Sequence, residues 1–141
     1  MDVRVETVEP SLTAVVAGPF DLSRLMPSWD AVYRFLRGTD TEVRQTGQNV
    51  ALYHRGERME IGAEVDRAFE PYGEVTSSSV PGGRVAHATH TTGYGDMHRT
   101  YSMIEAYCAE HALAPTGTSW EVYGDPDAND HVDVEIYFLL S

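Results

Sequence analysis

The predicted secondary-structure elements of residues 1–67 recur in the same order in residues 74–141, and this internal repeat is the strongest constraint on the fold. Each half predicts two strands, a helix and two further strands. Two segments of each half align: residues 49–53 (NVALY) with 119–123 (SWEVY), and 61–65 (IGAEV) with 134–138 (VEIYF). Since 141 residues are the size of one ordinary domain, we predict a single domain over residues 1–141.

The first repeat carries start and stop signals for one helix. Pro27 suits the first turn of a helix because it lacks an N–H, and Gly38 suits the position after the last turn. Apolar side chains recur between them at helical spacing, namely at Trp29, Val32, Phe35 and Leu36. Segments rich in β-branched and aromatic residues predict four strands, at residues 3–8, 12–18, 50–54 and 59–65.

The second repeat carries the same kinds of signal. Strands are predicted at residues 74–80 and 84–90, and the turn between them, residues 81–83 (PGG), predicts that they form a hairpin. After a loop at residues 93–95, Asp96 can cap a helix that ends before Pro115. One face of this helix is apolar, formed by Met97, Tyr101, Ile104, Cys108 and Ala112. The last two strands are predicted at residues 118–123 and 132–140.

Two such units predict an α+β fold. Their strands would form one antiparallel sheet with a pseudo-two-fold axis, and their two helices would cover one face of it. A groove between two symmetry-related helices is a usual place for a ligand. The fold class therefore predicts a central ligand cleft between the repeats.

Charge excludes several partners. The net charge of −12 comes from 22 acidic and 10 basic residues, and this field repels phosphate backbones and anionic membrane surfaces. We therefore expect no direct nucleic-acid binding and no membrane binding, and no apolar run approaches the ~20 residues of a membrane span. An acidic surface keeps a protein soluble, and it also attracts cations.

Cysteine and histidine positions favour neither a disulfide nor a metal site. Cys108 is the one cysteine, so the chain contains no internal disulfide and a reducing compartment is expected. Residues 1–4 begin no apolar signal segment. Together these features lead us to expect a cytoplasmic protein. His87 and His90 are three residues apart on a predicted strand and point to opposite faces. We expect no metal and no cofactor, because the sequence contains no set of ligands with metal-binding spacing.

Glu121 is the most informative residue. It interrupts an apolar, aromatic strand and shares a face with Tyr123, two residues along. If that strand is central, the carboxylate is partly buried and must find a partner or take up a proton. The aligned position in the first repeat is Ala51, so the fold does not need the acid twice, which favours a functional role. If the strand is an edge strand, Glu121 lies in water and has no special role.

Aromatic side chains are the second candidate feature. The chain has 8 Tyr, 4 Phe and 2 Trp, and several fall on predicted inner surfaces: Trp29, Tyr53, Tyr101, Tyr123 and Tyr137. A carboxylate framed by aromatic faces suits a delocalised cation, since each ring can add about 0.5–2 kcal/mol. Aromatic residues at strand and helix spacing are more often part of a core, which is the competing interpretation.

An ordered set of motifs resembles the GyrI-like (gyrase-inhibitor-like) effector-binding family, which also forms the drug-sensing C-terminal domain of some AraC- and MerR-type regulators. The resemblance covers essentially the whole chain. It rests on residues 80–86 (VPGGRVA), His90, Gly93 with Tyr94, residues 120–126 (WEVYGDP) and 133–138 (DVEIYF). One departure is that residues 90–94 read HTTGY, where the family usually has His-x-Gly-Pro-Tyr.

The resemblance implies two βαββ-like modules of SHS2 type around a cleft, with Glu121 matching the acid that meets lipophilic cations in drug-sensing members. The first hypothesis is a stand-alone protein that binds lipophilic, cationic or aromatic small molecules such as drugs and toxins. Its ligand-binding residues would be Glu121, Tyr123, Trp29, Tyr53, Tyr101 and Tyr137. A hydrolase of reactive cyclopropane-type toxins, with Glu121 catalytic, is the second. A gyrase-inhibitor-like protein-interaction module is the third, and a free sheet edge could also pair two copies or hold a partner protein.

Overall fold

One antiparallel sheet of eight strands, with two α-helices on one face, makes up the computed structural model, which describes residues 2–38, 40–91 and 94–141. The α+β fold class predicted from the sequence is confirmed. The first half contains β1 (Arg4–Val8), β2 (Ser11–Pro19), α1 (Leu25–Arg37), β3 (Gln45–His54) and β4 (Arg58–Val65). The second half contains β5 (Val75–Val80), β6 (Gly83–His90), α2 (Met97–Glu110), β7 (Pro115–Tyr123) and β8 (Val134–Leu140).

A short 3₁₀ turn precedes each helix, at Leu22–Arg24 and at Tyr94–Asp96. Thr92 and Gly93 lie outside the residues that the structure describes. They belong to the segment that departs from the family pattern, and Gly93 also belongs to the loop predicted before α2. Within the described parts of the chain, no helix has the length and apolar character needed to cross a bilayer.

Strand order shows the internal symmetry. The strand order in the sheet is β1-β6-β8-β7-β3-β4-β2-β5. The counterparts in the two halves are β1 and β5, β2 and β6, β3 and β7, and β4 and β8. When each strand is exchanged with its counterpart, the same order is obtained in reverse. A pseudo-two-fold axis therefore passes between β3 and β7, the two central strands. These strands are antiparallel, and the register sets Ala51 directly opposite Glu121.

The first strand of each half crosses to the other half. β1 pairs with β6, and β5 pairs with β2, so β5 and β6 lie towards opposite ends of the sheet. The hairpin predicted over residues 81–83 is therefore wrong. The two crossing linkers come so close that a Cβ on Gly82 would lie 2.6 Å from Cδ of Pro10. A glycine is needed there because the rigid ring of Pro10 and its backbone nitrogen, at 2.8 Å, occupy the space of a side chain.

The alignment of the two repeats also needs a correction in their last strands. Ala51 pairs with Ile61, and Glu121 pairs with Ile136, so Ile61 matches Ile136 and not Val134. The predicted alignment is two residues out of register. A shift of two residues leaves every side chain on its own face, so the alternation of apolar residues does not detect it.

Helix-to-sheet packing forms the core on one face of the sheet. α1 contributes Val32 and Phe35, and α2 contributes Ile104 and Cys108, all buried against the strands. Full burial of an aliphatic side chain of this size stabilises the fold by about 1.5–3 kcal/mol. Each helix is thereby held over its own half of the sheet, and the space between the helices lies above the central strands.

Candidate functional site

Glu121 lies on a central strand and is buried. β7 is paired with β3 on one side and β8 on the other, and Glu121 points to the face covered by the helices. Its exposed fraction is 6%. Of the two interpretations open at the sequence level, the buried carboxylate is the one that the structure supports.

Three tyrosine hydroxyls surround the carboxylate. The Tyr101 hydroxyl, from α2, donates to Glu121 Oε2, and the Tyr123 hydroxyl, on the same strand, donates to Oε1. The Tyr53 hydroxyl, from β3, lies close to the same carboxylate and lowers its pKa. These three hydroxyls come from three different elements, so the fold as a whole builds the site. They offset part of the cost of removing the carboxylate from water.

Burial and hydrogen bonding act in opposite directions on Glu121. Burial raises the pKa of its carboxyl group, whereas the bonds from the tyrosines and the nearby charge of His90 lower it, and the net shift is upward. Burial and the Glu121 charge raise the pKa of Tyr53, Tyr101 and Tyr123, which therefore stay protonated donors. The site can thus hold a carboxylate that takes up a proton more readily than an exposed one.

A cavity of about 1210 Å³ opens above this carboxylate. The strands β3, β4 and β7 form its floor, and α1 forms one wall. Met97 at the start of α2, residues 124–126 and Val132 form the opposite wall. The floor and the α1 wall comprise Leu22, Leu25, Met26, Trp29, Asp30, Val32, Tyr33, Leu36, Gln45, Gln48, Asn49, Tyr53, Ala63, Glu121 and Tyr123.

The charges that line the cavity have one sign. Among the described lining residues, Glu121, Asp30 and Asp125 are acidic and none is basic. The indole of Trp29 packs edge-on against Tyr123, with ring centroids 5.1 Å apart, and its Nε1 donates to the Gly62 carbonyl at 3.0 Å. A fixed aromatic wall beside a buried carboxylate suits a cation with apolar substituents. Across the described residues, no group of three His, Cys, Asp or Glu side chains is placed to hold a metal ion.

The structure brings five of the six predicted ligand-binding residues together. Glu121, Tyr123, Tyr53 and Trp29 line the cavity, and Tyr101 contacts Glu121 from α2. Whether they bind a ligand stays a prediction.

Tyr137 does not join the others. It lies on the helix-free face of the sheet, where its ring stacks between those of His87 and Trp120, with centroids 4.3 and 5.3 Å away. Its neighbour Ile136 pairs with Glu121, so strand alternation directs Tyr137 away from the cavity.

Sequence reasoning missed an apolar stripe along the cavity side of α1. Leu22, Met26 and Tyr33 line the cavity yet are 56%, 67% and 54% exposed, because they form its rim. With Trp29 and Leu36 they recur at intervals of four and three residues, the spacing of one helix face. That spacing could have predicted the stripe from the sequence. It was overlooked because the same helix carries a second set of apolar residues, which face the core.

Solved structures with this fold include proteins of several descriptions. The C-terminal domain of EcmrR is similar with a TM-score of 0.82 and 13% identity, over 99% of this chain and 97% of that one. In the EcmrR–DNA complex, the match covers 57% of the EcmrR chain.

Two further similar structures bear on ligands and on activity. SAV2435 bound to tetraphenylphosphonium has a TM-score of 0.68 and 9% identity, over 100% of this chain and 94% of that one. A hydrolase from Listeria innocua has a TM-score of 0.63 and 10% identity, over 99% and 91%. At these identities the likeness establishes the fold alone.

Sequence comparison identifies the family. No curated protein matches the chain significantly. The model of the GyrI-like small molecule binding domain, however, matches residues 1–141, the whole of the sequence. The protein therefore belongs to the GyrI-like small-molecule-binding domain family.

Proposed function

We propose that the protein binds lipophilic cations in the cavity between its helices, with Glu121 as the counter-ion. The observation that carries this proposal is a buried carboxylate at the floor of a cavity whose described charged lining residues are all acidic. A charge buried away from water is costly unless it is paired. A bound cation supplies that pairing, and its apolar substituents contact Trp29 and the aliphatic wall.

The size of the cavity supports a ligand of ordinary drug size. Small-molecule sites usually enclose about 300–1,000 Å³, and this cavity, which is open at its rim, measures about 1210 Å³. The family is one of small-molecule-binding domains, and a protein of similar fold, SAV2435, has been solved with tetraphenylphosphonium, a lipophilic cation. Both findings support the proposal.

The test is a fluorescence titration with the lipophilic cation rhodamine 6G, on wild type and on Glu121→Gln. We expect saturable binding to wild type and a loss of affinity of about 30-fold or more in the variant, since a desolvated ion pair contributes about 2 kcal/mol or more. Thermal unfolding of both proteins controls for folding. Equal affinity in the two proteins would reject Glu121 as the counter-ion.

A hydrolytic reaction is the second candidate, and one observation favours it. The pKa of the Glu121 carboxyl group is raised towards neutrality, so its ionised form can act as a general base. It would accept a proton from a water molecule whose oxygen attacks one carbon of a strained ring, such as the reactive cyclopropane of a toxin. The ring C–C bond at that carbon breaks and the departing carbon takes up a proton, so the product gains one water overall. A hydrolase of this fold is among the similar structures. Mass spectrometry of such a compound after incubation decides: the gain of one water with wild type, absent with Glu121→Gln, supports hydrolysis, and an unchanged mass rejects it.

A further inference from the structure

The cavity is elongated, and Glu121 lies near one of its ends. Along β3, the lining extends from Gln45 to Tyr53, and Ala51 is the residue opposite Glu121. A strand rises about 3.3 Å per residue, so Tyr53 lies roughly 7 Å from Ala51 in one direction and Gln45 up to about 20 Å away in the other. The carboxylate therefore has a short arm of the cavity on one side and a long arm on the other.

Helix α1 gives an independent measure of the same length. Its lining stripe runs from Leu22, in the turn before the helix, to Leu36 in the last turn. At about 1.5 Å per residue these fourteen steps span roughly 20 Å. The cavity thus follows nearly the whole helix and is not a compact chamber around Glu121.

The walls of the long arm are mainly apolar, whereas its floor on β3 carries the polar side chains Gln45, Gln48 and Asn49. Val32 and Leu36 on one side face Met97, Pro126 and Val132 on the other, across the floor. This arm can therefore remove an apolar ligand body from water.

One of the acids beside the long arm already has a partner. The Gln48 amide has one orientation in which both its oxygen and its nitrogen face suitable hydrogen-bond partners. In that orientation its nitrogen donates to the Tyr123 carbonyl at 3.1 Å and to Asp125 Oδ1 at 3.3 Å. That pair of bonds ties residues 124–126 to β3 as a wall. Asp125 thereby serves the wall, which leaves Glu121 as the buried anion of the cavity.

We propose that the ligand class is the elongated amphiphilic cation, with a small cationic head group against Glu121 and one apolar chain along α1 in the long arm. The inference rests on the function proposed above. A compact, multi-ring cation would pair with Glu121 but leave the long arm filled with water. An extended chain buries apolar surface along its whole length, and burial of that surface is the main source of affinity for such a molecule.

The test is calorimetric titration with butyl-, octyl-, dodecyl- and tetradecyl-trimethylammonium, each below its micelle concentration. Because a fully buried methylene contributes about fourfold in affinity, we expect Kd to fall roughly two- to fourfold per added carbon up to the dodecyl chain. Glu121→Gln should weaken every member by a similar factor and leave this dependence on length unchanged, because it removes only the contact with the head group.

Two serine variants on the exposed rim of α1 locate the chain. Tyr33→Ser lies beside the long arm and should weaken dodecyltrimethylammonium at least fivefold while changing butyltrimethylammonium less than twofold. Met26→Ser, on the rim of the short arm, is the matched control and should change the affinity for both compounds by the same factor, because they share the head group and differ only in the chain. Both side chains are more than half exposed, so both variants should fold, which thermal unfolding checks.

Failure of this inference differs from failure of the proposed function. If rhodamine 6G or tetraphenylphosphonium binds in a Glu121-dependent manner, but Kd does not change from butyl to dodecyl, the elongated class is wrong and cation binding stands. If chain length matters equally in wild type and Tyr33→Ser, the chain does not follow α1 and the proposal is overturned. If folded wild type binds none of these cations, both proposals are rejected.

Discussion

The two halves of the molecule share a fold but differ at the position where they meet. Ala51 and Glu121 occupy equivalent places and lie directly opposite each other across β3 and β7, next to the pseudo-two-fold axis. An acid in both halves would bring two buried carboxylates together, and like charges at that distance do not both ionise without a large cost. The repeat can therefore build the sheet twice, but it can carry this acid only once.

The helices differ in the same way. Trp29 of α1 and Tyr101 of α2 stand four residues after the first residue of their helices, and both reach towards the centre. Tyr101 donates to Glu121, whereas Trp29 bonds to the Gly62 carbonyl and leaves an open groove beside α1. The two halves thus share the same arrangement of strands and helix. The different residues at equivalent positions close the space beside α2 and leave it open beside α1.

Placing an acid in both halves should have the largest effect. Ala51→Glu sets a second carboxylate opposite Glu121 at a position with 0% exposure, and we expect it to lower the free energy of unfolding by about 3–5 kcal/mol at pH 7. Urea unfolding measures this. Ala51→Gln adds the same bulk without the charge, so a similar loss in that variant would show that crowding, and not charge, distinguishes the halves.

The pH profile sharpens the comparison, because Glu121 titrates and its counterpart does not. Burial raises the pKa of Glu121 from its ordinary value of 4.5, so the folded state holds this proton more tightly than the unfolded state. Wild type should therefore lose stability relative to Glu121→Gln as the pH rises from 4.5 through the raised pKa. Urea unfolding of both proteins at several pH values measures the difference.

Cation binding should change in the opposite direction over the same interval. Only the ionised carboxylate pairs with a cation, so the affinity of wild type for rhodamine 6G should fall by up to about tenfold for each pH unit below the pKa of Glu121 until it reaches that of Glu121→Gln. Glu121→Gln should give a flat profile in the same titrations. A profile for wild type as flat as that of the variant would show that ligand binding does not use the charge.

The tyrosines at equivalent positions offer a smaller test. The Tyr123 hydroxyl donates to Glu121, and the Tyr53 hydroxyl lies close to the same carboxylate and lowers its pKa. Tyr53→Phe and Tyr123→Phe therefore each remove one hydroxyl from beside the carboxylate. Because these contacts are made in the folded protein without a ligand, their loss acts on stability. Loss of one hydrogen bond costs about 1 kcal/mol, and we expect each variant to lower the free energy of unfolding by about that amount in urea unfolding. An effect confined to one of the two would mean that the asymmetry of the halves extends beyond residue 121.

Tyr137→Phe should have the smallest effect. Its ring stacks on His87 and Trp120 on the helix-free face, and phenylalanine preserves that stacking. We expect rhodamine 6G affinity to change less than twofold in the same titration. A large loss would indicate that the two faces of the sheet are coupled, and that the helix-side cavity alone does not determine binding.

Every strand and helix predicted from the sequence is present, but their ends differ. β3 begins at Gln45, five residues before the predicted strand, and β7 begins at Pro115 and not at residue 118. The added residues, such as Gln45 and Gly47, are polar or small and show no alternation. They become strand because neighbouring strands offer hydrogen-bond partners, which is a tertiary effect.

The sequence also predicted most of the candidate site. The break in the repeat at Glu121, and its common face with Tyr123, follow from local alternation. That Tyr53 and Tyr101 reach the same carboxylate does not follow from it, because they come from another strand and a helix. The rim residues Met26 and Tyr33 were overlooked, because exposed apolar residues at helical spacing carry little information before a groove is known to lie beside them.

By itself, the sequence determined the repeated order of elements, the face of each strand residue and the single acid that breaks the repeat. Only the tertiary structure decided that β5 and β6 separate, that β7 is central and that Glu121 is buried among three hydroxyls. The reason is physical: side-chain direction follows from the geometry of a few neighbouring peptides, whereas strand pairing uses backbone hydrogen bonds that are the same for nearly every residue. The choice among pairings is therefore made by the packing of the whole core.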